Sequence, residues 1–351
     1  MSRPAVVIVG AGLHGCALAF ELAERGADVV VIERGIVGAE ASSAAAGMLA
    51  PTAEACAHPG GTVAHAIGVD SLARYPAWLA RVQAASGMAV SGAWSGIVID
   101  ERRCAPGVAL EGRLTGRELA AIEPNLAIDH AFLIPGEGWV DPVELVAAVA
   151  QAALNVGVRF VRGEVRAVAE GAVTIGAEGG ELRLCGEVVV CAGAWTARVP
   201  GLATLPVEPV RGQILALDAQ GCGPSRVVFA PGCYLVPRHD GRVLVGSTME
   251  RVGFERGVTP EGIAALSAAA VLACPGLAGA ARIGAWSGFR PGTPDGLPVM
   301  GRWQGVWVAS GHHRNGILLA PYTAAVMAGA LLHGVALHAA LDPGRFARSA
   351  A

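Results

Sequence analysis

Residues 286–321, WSGFRPGTPDGLPVMGRWQGVWVASGHHRNGILLAP, hold the side chains whose types and spacing point most directly to chemistry. Arg290 and Arg314 stand there in glycine-rich surroundings with little other charge. A guanidinium keeps its proton and presents a planar fork that fits a carboxylate bidentately, so each arginine calls for an anionic partner. That partner is either a ligand or a nearby acid, with Asp295 the candidate for a plain surface pair. Tyr234, one of three tyrosines, has a hydroxyl that could supplement an arginine at a carboxylate, or simply bond backbone in the core. His312 and His313 are the titratable neighbours, although a lone histidine is more often structural than catalytic.

A second constellation lies at the start of the chain. Residues 10–15 read GAGLHG between an apolar run and a helix-forming segment, and a second apolar run over 28–32 ends in Glu33. In that arrangement Gly10 makes the turn, Gly12 lets the backbone approach a pyrophosphate, and Gly15 packs helix against strand. The helix N-terminus faces the phosphates, and Glu33 is placed to accept hydrogen bonds from an adenosine ribose. This motif alone does not separate a nicotinamide from a flavin dinucleotide. Residues 41–51, ASSAAAGMLAP, add a run of small side chains that would let backbone press against a flat ligand extending beyond the pyrophosphate, which favours FAD.

These residues require elements to hold them. The apolar run 6–9 reads as a parallel strand covered on both faces rather than as a signal peptide, and 71–86 as a helix. Further strands are expected near Val165 and over 187–191, the latter entering AGAW with Gly193 at a strand end that could meet a cofactor. Cys191 within it reads as core. Asp240-Gly241 predicts a type I′ hairpin that fixes Tyr234 mid-strand. Around Arg290 the pattern reads as a turn-rich loop, followed by a strand over 306–309, a loop over 311–316 and a helix beginning near Gly316. Thr115 with Glu118 forms a capping box, Asp141 and Pro142 start a helix that Gly157 ends, and Thr259 with Pro260 starts another.

Composition narrows the classes. Half of the 351 residues are hydrophobic and the net charge is −3, which suits a large core and not a nucleic-acid surface. All 26 basic side chains are arginine, which removes lysine Schiff-base chemistry. The eight cysteines show no zinc spacing, so no metal is expected, and they read as core thiols of a reducing compartment. The uncharged run 315–341 is long enough to cross a membrane but contains Gly316, Pro321 and two histidines, so a buried helix is the better reading.

Taken in order, GAGLHG with Glu33, ASSAAAGML, VVVCAGAW, EPVRGQ, YLVPRHDGRVLVGSTM, WSGFRPGTPDGLPVMG and GHHRNGILLAP resemble the FAD-dependent glycine oxidases of thiamine biosynthesis, within the D-amino-acid oxidase and sarcosine oxidase group. The resemblance spans nearly the whole chain. It implies an α/β fold: a Rossmann-like FAD-binding domain over 1–86, 139–207 and 286–351, interleaved with an α+β substrate domain on a mixed sheet over 87–138 and 208–285. It further implies oxidative deamination of glycine, sarcosine or small D-amino acids to the 2-oxo acid, ammonia and hydrogen peroxide, by hydride transfer from the amine α-carbon to flavin N5, supplying the thiazole branch of thiamine synthesis.

Carried over, Arg290 matches the carboxylate-binding arginine, Tyr234 its assistant, Arg314 a second arginine of the site and Met249 a residue near the substrate. Leu13, His14, Glu33, Arg34, Ala41, Ser42, Ala46, Gly47, Met48, Val165 and the segment His312, His313, Arg314, Asn315, Gly316, Ile317 and Leu318 match cofactor contacts. His313 departs from the pattern, which has an aromatic residue there. With no lysine, and no cysteine in 286–301, the FAD is expected to be noncovalent, with dioxygen as acceptor. A cytoplasmic homo-oligomer without nucleic-acid or membrane partners completes the expectation. The rival readings are a D-amino-acid dehydrogenase delivering electrons to a quinone at a membrane, a noncatalytic flavin-binding protein, and, least favoured, a nicotinamide dehydrogenase.

Overall fold

A computed structural model describes residues 5–57, 61–105, 110–177 and 180–347. Ala5–Val9 is apolar and buried along almost its whole length because it is an inner strand of a six-stranded sheet. The strand order is Val299–Trp303, Val306–Ser310, Glu187–Val190, Ala5–Val9, Asp28–Glu33, Arg159–Arg162. All neighbours pair parallel except the outermost strand, Val299–Trp303. One face packs the helices Leu13–Glu24, Pro142–Asn155 and Ala320–His333 through side chains such as Leu18, Phe20, Val149 and Met327. The other face is covered by a three-stranded antiparallel sheet whose Val173 and Ile175 meet Val7, Val9 and Val188. Two covered faces explain why the strands are continuous apolar runs.

The second large sheet has eight strands in the order Ala281–Gly292, Glu208–Asp218, Arg242–Gly246, Cys233–Pro237, Val227–Ala230, Ile97–Asp100, His130–Ile134, Arg113–Thr115. It is mixed, with Val227–Ala230 and Ile97–Asp100 the parallel pair. One face carries the helix Pro260–Ala273 through Ile263, Leu266 and Ala270. The opposite face, with Ile214, Phe229 and Tyr234, packs on Ala46, Ala50, Ala53 and Trp139. The alanine-rich segment is therefore small because it is pressed between the cavity and a sheet. The fold is the expected α/β architecture with a mixed-sheet partner.

Several local expectations hold. Asp141 accepts from the amides of Val143 and Glu144 at 2.9 and 3.2 Å and Pro142 opens its helix. Thr115 and Glu118 make the capping box, and the Thr259 side chain accepts from Gly262 N.

Others are corrected. The loop predicted around Arg290 is the 12-residue edge strand Ala281–Gly292. Its glycines and proline read as turn residues, but at a sheet edge they are tolerated and allow close approach of neighbouring chain. The Asp240-Gly241 hairpin is not type I′: among the described non-glycine residues only Gln304 and His313 have positive φ, so Asp240 does not. Gly241 N bonds Arg238 O at 3.1 Å and Gly241 has φ +86, which is a type I turn closed by a glycine bulge. The last long helix begins at Ala320 rather than Gly316, after a 3₁₀ turn over His313–Asn315. Pro321 sets that start, since it lacks an amide donor and favours the first helical turn. The helix expected over 71–86 already starts at Thr62. Val165 belongs to the small covering sheet, and Arg159–Arg162 is the strand that joins the six-stranded sheet. No helix among the described residues is long and apolar enough to cross a membrane.

The close crossing of helix over strand at Gly15 can be tested. A Cβ at Gly15 would lie 1.9 Å from the Gly10 carbonyl oxygen, whereas nothing lies within 4 Å of one at Gly279. Gly15→Ala should cost about 1–3 kcal/mol in chemical denaturation, as overpacking does, while Gly279→Ala should stay within about 0.5 kcal/mol of the parent.

Candidate active site

One cavity runs from the carboxyl ends of Ala5–Val9 and Asp28–Glu33 to the inner face of the eight-stranded sheet. At the first end the Glu33 carboxylate accepts from Ala11 N at 2.9 Å and Gly35 N at 2.8 Å. A carboxylate offers about four acceptor positions, so capacity remains for a ligand hydroxyl. Gly10 and Gly12 line the turn. A Cβ on Gly10 would meet the Cys191 carbonyl at 2.5 Å, so two strand ends close on each other there. Leu13 N donates to Ser42 Oγ at 3.0 Å, which ties the small-residue segment to the helix start.

His14 lies behind this turn with both ring nitrogens buried; the backbone of Gly316 is their polar neighbour, and neither nitrogen makes a well-formed hydrogen bond. Its ring stacks on His312 at 3.5 Å with a 15° tilt, and His312 Nε2 lies 3.0 Å from Thr323 Oγ1. Burial pushes the His14 imidazole down to about 4 and His312 well below the ordinary histidine value, so both are neutral. Buried polar atoms without partners normally find one. Here they border the cavity and fit a polar ligand.

Along the middle, Arg34, Ala41, Ser42, Ala46, Gly47, Met48, Val165 and Gly193 all line the wall. The Arg34 guanidinium lies 4.8 Å over the Trp195 ring. Trp286 Nε1 donates to Ala44 O at 3.0 Å and Arg238 Nη2 to Ala46 O at 2.7 Å, so the eight-stranded sheet fixes the backbone of the alanine-rich segment. Cys191 also borders the cavity, and burial pushes its thiol up to about 12.

At the far end Arg290 and Tyr234 come together. A Cβ at Gly212 would meet the Arg290 guanidinium at 2.2 Å, and one at Gly246 would meet Tyr234 at 2.4 Å, so glycine on the neighbouring strands makes the room for both side chains. Arg290 Nη1 donates to Thr248 O at 3.2 Å and Nη2 to Ser247 Oγ. Burial pushes its guanidinium below the ordinary value, while the Tyr234 hydroxyl beside it favours the charged form. Among the described residues Arg290 has no salt bridge. Asp295, the surface partner considered for it, pairs instead with Arg345 at 2.7 Å.

Arg314 lines the cavity, as expected of a second arginine of the site, and is at the same time paired with an acid. Its Nε and Nη2 donate to Glu54 at 2.8 and 3.0 Å, a buried bidentate pair that already closes the guanidinium fork. His313, with φ +47, borders the same end, and burial followed by the charges of Arg290 and Arg314 pushes its imidazole down to about 4. Met249, expected near the substrate, is 52% exposed and does not line the cavity, because it follows the strand end on the outer side of Thr248. Gly316 and Ile317 line the wall; Asn315 and Leu318 do not, since they face the helix start, where the Asn315 carbonyl accepts from Leu319 N and the Leu318 carbonyl from Ser71 Oγ. Gly15 serves packing beneath the turn and not the wall.

The residues that sequence reasoning missed are Glu54, Ser247 and Glu137, while Trp195, the end of the AGAW segment expected at a cofactor, does line the cavity. Glu54 carried a signal, being the lone acid of an alanine-rich helix, Pro51–Ala57. Glu137 accepts from Thr52 N and, at 3.2 Å, Ala53 N at the start of that helix, and burial pushes it up to about 7. Ser247 carried none, because its contact with Arg290 joins segments that meet only in three dimensions.

A dinucleotide turn, spare acceptor capacity on Glu33, unpartnered His14 nitrogens and a wall of small residues leading to a half-buried guanidinium together fit FAD. The family described as DAO, FAD dependent oxidoreductase, matches residues 5–330. The chain is 37% identical over 344 residues to the bifunctional protein ThiO/ThiG of Synechocystis sp., covering 93% of this chain and 51% of that protein, so it spans about half the length of that relative. To the glycine oxidase of Pseudomonas putida it is 35% identical over 343 residues, 90% of this chain and 91% of that one. The crystal structure of glycine oxidase from Geobacillus kaustophilus superposes with a TM-score of 0.87 at 32% identity, covering 98% of this chain and 99% of the other. With the family match spanning most of its length, the chain belongs to the DAO family of FAD-dependent oxidoreductases.

Proposed function

We propose that this chain uses water and dioxygen to convert glycine, and with it small D-amino acids, to the 2-oxo acid, ammonia and hydrogen peroxide, and sarcosine to glyoxylate, methylamine and hydrogen peroxide, as a supply for the thiazole branch of thiamine biosynthesis. The observation that carries the reading is Arg290: a half-buried guanidinium on the cavity wall whose hydrogen-bond partners are neutral, beside Tyr234, at the end of the cavity remote from Glu33. Such a group binds a carboxylate in a water-poor setting, where a charge-assisted bidentate pair is strong. Bound FAD would supply the redox step, taking hydride from the amine α-carbon and passing the electrons to dioxygen.

The protein's own contribution is orientation. Arg290 fixes the substrate carboxylate and the Tyr234 hydroxyl adds a second contact, which sets the direction of the α-carbon. Arg314, already held by Glu54, positions the wall and keeps its charge from competing for the carboxylate. His312 and His313 stay neutral at physiological pH and add no positive charge against the substrate amine. Cys191 is a protonated thiol, a poor nucleophile, which supports noncovalent FAD.

The same reading divides the chain into an FAD-holding unit of 1–86, 139–207 and 286–351 and a substrate unit of 87–138 and 208–285, with the strand Ala281–Gly292 running across the last boundary to deliver Arg290 between them. A cytoplasmic homo-oligomer using a small amino acid and dioxygen completes the proposal.

Arg290→Ala should raise KM for glycine by about 30-fold or more, since removing one partner of a desolvated charge pair typically costs about 2–5 kcal/mol; a KM equal to the parent's would sink the assignment. Anaerobic mixing of the yellow protein with glycine, sarcosine, D-alanine and D-proline should bleach the flavin band, and admitting air should restore it with release of peroxide. Bleaching that air fails to reverse would point to a dehydrogenase, and a band unmoved by any amine to a noncatalytic flavin protein.

A further inference from the structure

Residues 253–257 of the eight-stranded unit reach across to the wall of the FAD cavity. The segment hangs between two fixed points. Glu250 and Arg211 exchange backbone hydrogen bonds of 2.9 Å, and Thr259 N donates to Gln213 Oε1 at 2.7 Å. Between them Gly253 and Gly257 have φ of +63 and +101, and these two turns carry Phe254 and Arg256 onto the same ring, that of Trp195. Phe254 stands 5.0 Å from Trp195 and 5.3 Å from Phe289, with the Arg198 guanidinium 4.0 Å over its own ring. Arg256 lies 5.9 Å over Trp195 and pairs with Glu40 at 2.7 Å.

Three of these contacted residues, Glu40, Trp195 and Arg198, line the cavity from two separate segments of the chain. Glu40 immediately precedes the small-residue segment, and Trp195 and Arg198 lie in the turn Gly193–Arg198. The dinucleotide turn touches both segments at their near ends, through Leu13 N on Ser42 and through Gly10 against Cys191, and Phe254 and Arg256 add a link at their far side. We propose that residues 253–257 form a clamp in which Phe254 and Arg256 join the Glu40 side of the FAD cavity to its Trp195 side, and thereby set how slowly FAD leaves.

Phe254 carries most of the hold, because aromatic and cation–ring contacts on three sides add to its burial. The Glu40–Arg256 pair is solvent-exposed and contributes less. The inference rests on FAD occupying this cavity.

The test follows release of FAD from the holoenzyme after dilution, read as recovery of free-flavin fluorescence, alongside the thermal midpoint of each apoprotein. Phe254→Ala should speed release about tenfold and Arg256→Ala about two- to fivefold, with apoprotein midpoints near the parent's. Glu40→Arg and Arg256→Glu should each accelerate release, and the double exchange E40R/R256E should bring the rate back toward the parent's, a recovery that a general loss of stability would not produce. Release rates unchanged in Phe254→Ala and Arg256→Ala, or a double exchange no slower than the single variants, would overturn the clamp. A purified protein with no flavin at all would instead overturn the reading of the cavity.

Discussion

Arg290 is a full charge taken out of water, and the substrate end of the cavity is arranged around the need to solvate it. Burying an ion costs several kcal/mol even after relaxation. The carbonyl of Thr248, the hydroxyl of Ser247 and the phenol of Tyr234 return part of that as neutral hydrogen-bond acceptors. None returns the Coulomb energy of an anion. Geometry follows from the same need, because two neighbouring strands give up their side chains at Gly212 and Gly246 to make room for the guanidinium and the phenol. A carboxylate entering this end therefore meets a cation that is fixed, half-buried and without an anionic hydrogen-bond partner, a setting in which an ion pair is worth more than at the open surface.

The neighbouring Arg314 shows the contrasting solution. Its fork is filled by Glu54, so a second cation only one loop away does not add to the pull on a substrate anion. Two arginines of similar sequence setting thus differ in function through one acid on the helix Pro51–Ala57, some 260 residues distant in the chain. The helix is itself held by Glu137 at its first amides. Positioning of the substrate end consequently depends on a short helix packed under the eight-stranded sheet as much as on the loop that bears Arg314.

This difference explains what was legible in the sequence. The Gly10 turn, Glu33, the Asp141 cap and the Thr115 box are local: each pairs residues a few positions apart, or is a motif whose backbone geometry forces a residue type, and the sequence reading and the structure agree on them. The edge strand Ala281–Gly292 reads as loop in the sequence because two of its glycines are explained only by what lies close to them in space, Ala44 near Gly288 and Val210 near Gly292. The role of Glu54 was invisible for a related reason: an ion pair between distant segments leaves no spacing to read. Aspartate before glycine suggested one hairpin type, but a longer loop with the glycine one place later satisfies the same residues.

Because every basic residue is arginine, the positive charge of the cavity does not titrate in the physiological range, and its pH response must come from acids and histidines. These push in opposite directions. Glu137 is raised by burial from 4.5 to about 7, so the folded chain holds a proton that the unfolded chain has lost, and its contribution to stability falls as pH rises through that interval. His14 and His313 are lowered by burial from 6.5 to about 4, so the unfolded chain takes up protons first and stability is lost as pH falls through that interval. Between 4.5 and 6.5 the two slopes oppose each other. Acid therefore first relieves the buried carboxylate, from about 7 downward, and then weakens the wall around the dinucleotide turn and the substrate end as pH falls from 6.5 toward 4, with His312 shifted in the same direction as the other two histidines.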